Sequence, residues 1–156
     1  MSTRRALLYG TLVVGTLDAL DAIVFFWLRS GVQPIRIFQA IAAGLVGRTE
    51  AIAGGFRTAL LGVGLHYFIA FGIVATFFAA SRYISVLRRA PVWSGILYGI
   101  AAYVVMNTIV IPLSAAGRGG LTWPIVVNAV LVNGVLIHMF GVGLPASLFA
   151  RAARRD

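Results

Sequence analysis

The sequence contains no cysteine and no lysine, and only four acidic residues. Without cysteine there is no disulfide scaffold, zinc ribbon, iron–sulfur cluster or thiol nucleophile. Charged residues make up 11% of the chain, against about 25% in a soluble domain, so an ordinary soluble globule is excluded. Disorder is excluded by the opposite excess, because 60% of the residues are hydrophobic and a disordered segment is poor in them. Enzyme signatures are missing too: there is no Gly-x-Ser-x-Gly, no P-loop and no His-Glu-x-x-His. Gly10 to Gly15 follows no strand and reads as a helix-face pattern, not a dinucleotide loop. Whether the chain is an enzyme stays open, with the balance toward a non-enzymatic role.

What the chain does contain is apolar runs long enough to cross a bilayer, which takes about 20 residues of helix. Four qualify, at 6–28, 59–80, 92–115 and 122–150, each bounded by Arg, Gly or Pro. None alternates with period two, so a β-barrel is not expected. The expected fold class is an all-α integral membrane four-helix bundle, one domain over 1–156.

An even number of spans places both termini on one side. That side carries Arg4, Arg5, Arg82, Arg88, Arg89, Arg151, Arg154 and Arg155; the other carries Arg29, Arg36, Arg48, Arg57 and Arg118. The bias puts both termini in the cytoplasm. Trp27, Trp93 and Trp123 lie near span ends, as interfacial aromatics do. The net charge of +9 sits at these ends and forms no basic stripe, so the expected partner is the lipid bilayer and not nucleic acid. Arg4-Arg5 before an apolar run resembles a twin-arginine export signal. No small-x-small cleavage site follows and Asp18 and Asp21 interrupt the run, so an uncleaved first span is expected.

Between spans one and two, Gln33-Pro34 reads as a helix start. Ile35, Phe38, Ile41, Ala42 and Leu45 then recur at helical spacing, with Arg36 and Gln39 on another face. A helix over 34–46 is predicted. It is too short to cross and therefore either amphipathic at the interface or re-entrant. Gly54-Gly55 breaks the chain before span two.

Polar residues inside apolar spans are costly and carry the functional information. Asp18 and Asp21 share a face of span one, three residues apart. His66 lies in span two, Asn107 in span three, and Asn128, Asn133 and His138 in span four. Counted from the cytoplasmic ends at about 1.5 Å per residue, Asp18 and His138 lie about 18 Å deep, Asp21 and His66 about 22 Å, Asn107 about 24 Å and Asn133 about 25 Å. A shared level predicts one polar cluster. Two carboxylates one turn apart cannot both ionise cheaply in a low dielectric, so a proton or a cation is expected there.

The expected ion- or proton-binding residues are Asp18, Asp21, His66, His138 and Asn107, with Arg36, Gln39 and Asn133 supporting or gating. No cofactor is expected. The alternatives left open are a b-type haem or a transition metal held through His66 and His138, or a metal set that adds Asp18 and Asp21. Gly95-x-x-x-Gly99 is a small-residue pair that reads as close helix packing. Pro112 and Pro145 are placed to kink or stop their helices.

The segments Arg36-Ile37-Phe38-Gln39, Ala42-Ala43-Gly44-Leu45, Gly64-Leu65-His66-Tyr67-Phe68-Ile69-Ala70-Phe71, Val105-Met106-Asn107 through Ile111-Pro112-Leu113-Ser114, and His138 through Gly143-Leu144-Pro145 are spread along the chain. With these segments the chain resembles a family of small four-helix bacterial inner-membrane proteins that have no established activity. A related group is associated with acid resistance. The resemblance implies an inner-membrane helical protein and names no catalytic residues. The expected function is proton or ion handling by a homo-oligomer, or alternatively an accessory or assembly role in a larger membrane complex.

Overall fold

The structure is a computed structural model that describes residues 1–116 and 125–153. Among the described residues there are helices and no strands. They run α1 (Thr3–Ser30), α2 (Pro34–Val46), α3 (Arg48–Ala53), α4 (Gly55–Tyr83), α5 (Val86–Arg89), α6 (Pro91–Val105), α7 (Ile111–Leu113), α8 (Ala129–Ile137) and α9 (Leu144–Ala152). Two π-helical turns join pieces into longer rods: Met106–Val110 links α6 to α7, and His138–Gly143 links α8 to α9. Four helices are thereby long and apolar enough to cross a membrane: Thr3–Ser30, Gly55–Tyr83, Pro91–Leu113 and Ala129–Ala152.

The first two exceed the apolar runs at both ends. Arg4, Arg5, Arg57 and Arg82 continue the backbone ladder beyond the apolar stretch, since an arginine in a helix end costs little and its long side chain reaches water. The fourth differs from its expected start. The expected beginning at Thr122, with Trp123, lies outside the described residues, as do Arg118, Arg154 and Arg155. Residues 125–128 are not helical, and the helix begins at Ala129. Ile125-Val126-Val127 is a β-branched run with low helix propensity, and Asn128 is a residue type that favours the position before a helix.

The described residues fall into two compact units: Met1–Asp18, Tyr67–Tyr103 and Ala129–Asp156 in the first, Ala19–His66 and Val104–Asn128 in the second. In the first, Ala6, Val14, Ala70, Val74, Phe77, Phe78, Val142, Ala146 and Ala150 form the core. The closest approach is between α6 and the second π turn. A Cβ on Gly99 would overlap the His138 carbonyl, and one on Gly95 would lie 2.8 Å from the Gly143 oxygen. The Gly95/Gly99 pair is a packing seam, as its spacing predicts. Tyr98 spans the same unit, its hydroxyl donating to the Ile73 carbonyl at 2.6 Å.

In the second unit α2 and α3 pack on each other over Ala42, Ala43 and Ala51. Gly47, at φ 84°, ends α2 in a conformation that favours glycine. Gly62 of α4 lets the α2 backbone cross it, since a Cβ there would overlap the Phe38 carbonyl. The Ala115 N–H donates to the Gly44 carbonyl at 2.9 Å. In both units the buried residues are mostly Ala, Gly and Ser, whereas Leu28 (81% exposed), Phe68 (72%), Leu97 (65%) and Leu113 (82%) face outward. That inverts the pattern of a water-soluble protein.

Candidate functional site

The side chains nominated by sequence divide between the two units. Asp18, Asn133 and His138 lie in the first; Asp21, Arg36, Gln39, His66 and Asn107 lie in the second. Asp18, Asp21, Asn107, Asn133 and His138 are half-buried, and His66 is buried.

In the first unit His138 opens the second π turn. Its Nδ1 hydrogen-bonds the Gly134 carbonyl at 2.9 Å. A carbonyl can only accept, so Nδ1 is the donor of this bond. Tyr103 packs edge-on against that ring, with centroids 5.2 Å apart. Close to Asp18 along α1, the Thr16 Oγ1 and the Tyr67 hydroxyl lie 2.9 Å apart and share a hydrogen bond. Gly15 makes room for Tyr67, because a Cβ there would stand 2.7 Å from its ring.

In the second unit Gln39 is 3% exposed. Its Oε1 accepts from Arg36 Nη1 and its Nε2 donates to the Gly55 carbonyl, both at 2.9 Å. Arg36 and Gln39 are therefore brought together, and they tie α2 to the first residue of α4. The helical pattern placed both on a face away from the apolar one. The structure corrects this for Gln39, which is buried with Ala42 and Ala43 while Leu45 is exposed. The reason is packing: the α2 side that meets protein is built from small residues and one satisfied amide. His66 lies beside Phe38, ring centroids 6.5 Å apart. Thr58 Oγ1 closes the corner by donating to the Ala51 and Gly55 carbonyls.

Sequence reasoning missed both π turns, the Tyr103 ring against His138 and the Thr16–Tyr67 bond. The signal for the turns was present in Pro112 and Pro145. A proline has no N–H for the carbonyl four residues back, and its ring crowds that carbonyl. In each case the ladder widens just upstream: the Ile111 N–H reaches Met106 O and the Leu144 N–H reaches Met139 O, each five residues back. Such single wide turns concentrate at functional sites, and these two carry Asn107 and His138.

Among the described residues, no three or more His, Asp or Glu side chains form a group that could hold a metal ion. Fold and side chains together define the class: an all-helical protein with four apolar helices of membrane-spanning length, each carrying polar residues within its length. Comparison with family models, with curated proteins and with solved structures gives no match.

Proposed function

We propose that this chain is an integral membrane protein of four spans that handles protons or a small cation. Asp18 and Asp21 are the carboxylates that bind it, and His66, Asn107 and His138 are the polar groups that the other spans contribute. Its setting in this reading is a bacterial inner membrane, with both termini in the cytoplasm and several copies assembled together. One observation carries the proposal. Two carboxylates stand one turn apart, half-buried, inside a helix long and apolar enough to cross a bilayer. Acidic residues at such positions are rare and mark ion or proton pathways.

A hydrophobic carbodiimide tests this on the full chain, because it couples to carboxyl groups that hold a proton in an apolar setting. At neutral pH, peptide mapping should find the adduct on Asp18 or Asp21, and Asp18→Asn with Asp21→Asn should remove it. Absence of an adduct on either residue in folded wild-type protein, at acidic and neutral pH and with or without sodium, would contradict the proposal.

A further inference from the structure

Six arginines of the first unit gather where its helices begin and end. Arg4 and Arg5 lie in the first turns of α1, Arg82 near the end of α4, Arg88 and Arg89 in α5, and Arg151 at the end of α9. The contacts that assemble this end are internal to the unit. The Met1 ammonium donates to the Ala152 carbonyl at 3.4 Å. Arg88 donates to the Arg151 carbonyl at 3.5 Å and also to the Ala153 carbonyl. Arg88 is thus used in the fold, as a cation at a helix C-terminus should be. Arg4, Arg5, Arg82, Arg89 and Arg151 are exposed.

Nothing among the described residues of this unit balances the charge at that end. Among the described residues its acid is Asp18, about 20 Å along α1 from Arg5; Asp21 and Glu50 belong to the second unit, and Asp156 lies outside the described residues. Two of the arginines also stand where a helix disfavours them. Arg4 and Arg5 occupy an N-terminal turn that holds no acid, and the dipole there repels cations and attracts anions. The exposed aromatics Tyr83 and Trp93 flank α5 on either side in sequence, the residue types that sit at headgroup level.

We infer that this arginine-rich end binds the phosphodiester headgroups of anionic phospholipids in the leaflet that receives it. The occupant is a lipid and not free phosphate, because the cations stand at the ends of helices whose outer surface is apolar, where acyl chains lie alongside. The inference rests on the proposed membrane insertion. An orientation signal alone needs the charges during insertion only, and leaves the folded protein indifferent to headgroup.

The test uses the full chain in nanodiscs of equimolar phosphatidylglycerol and phosphatidylcholine with matched acyl chains. Lipids retained after transfer to mild detergent are counted by native mass spectrometry. Each basic residue near an anionic surface is worth about fivefold in affinity. Wild type should therefore retain phosphatidylglycerol over phosphatidylcholine by at least about tenfold, and R4Q/R5Q/R82Q/R89Q should lower that ratio by at least about fivefold. Millimolar inorganic phosphate should leave the retained lipid in place. Equal retention of the two lipids by wild type overturns the inference whatever the variant does. So does an unchanged preference in a variant with wild-type unfolding, or displacement by inorganic phosphate. Release of the chain from vesicles by an alkaline carbonate wash is a separate result, which sinks the membrane reading itself.

Discussion

Gln39 is an amide surrounded by alanines, and its two hydrogen bonds explain why it is tolerated there. Truncation in Gln39→Ala removes one donor from the Gly55 carbonyl, which keeps the Thr58 hydroxyl, so the loss is that of a net hydrogen bond, about 0.5–1.5 kcal/mol. Thermal unfolding in detergent should show a clearly lowered midpoint, with a smaller loss for Arg36→Ala, whose exposed guanidinium is hydrated in any case. An unchanged Gln39→Ala midpoint would mean that the link contributes nothing. The burial of Gln39 could not be read from the pattern of α2. Pattern reasoning sends polar residues outward, and here the outward surface is apolar. Asp18 and Asp21 stand out in the sequence because an ionisable group in an apolar run is expensive, and both are half-buried along α1. The Tyr103–His138 and Thr16–Tyr67 pairs were not legible, because they join residues far apart in the chain, and nothing local announces them.

The long helices were legible to within a few residues at most ends, because apolar runs stop at Arg, Gly and Pro. The exception is the fourth, where Ile125-Val126-Val127 is apolar but not helical; hydropathy counts a β-branched residue as fully as a leucine, and helix propensity does not. The glycine seam was legible from spacing, and its consequence is asymmetric. Gly99→Ala drives a Cβ into the His138 carbonyl, an overpacking of about 1–3 kcal/mol. Gly72→Ala meets no atom within 4 Å and removes only glycine's excess backbone entropy, a gain of up to about 1 kcal/mol. Opposite shifts in unfolding midpoint should separate the two; equal behaviour would refute the seam. Pro145→Ala restores the N–H that its helix lacks. The second π turn should then tighten, and hydrogen exchange should find the new amide at 145 protected. A rapidly exchanging amide there would show that the wide turn has another cause.

At the scale of the molecule, small residues turned inward, large apolar residues turned outward and arginines at the helix ends are the pattern that the proposed membrane insertion calls for. Composition pointed to the same setting before any element was assigned. What composition could not announce is what the polar side chains do together, because depth along a span is a count of residues and says nothing of azimuth. The central claim is that Asp18 and Asp21 carry a proton or cation through the membrane. The direct measurement is proton influx into liposomes under a valinomycin-clamped potassium gradient, read by an internal pH dye. Wild type should acidify the lumen faster than empty vesicles. Asp18→Asn/Asp21→Asn, incorporated to the same level and with unaltered unfolding, should fall to the empty-vesicle rate, and sodium flux should follow the same order if the cargo is a cation. Wild-type vesicles as tight as empty ones to both ions, or a double variant as active as wild type, would contradict the account.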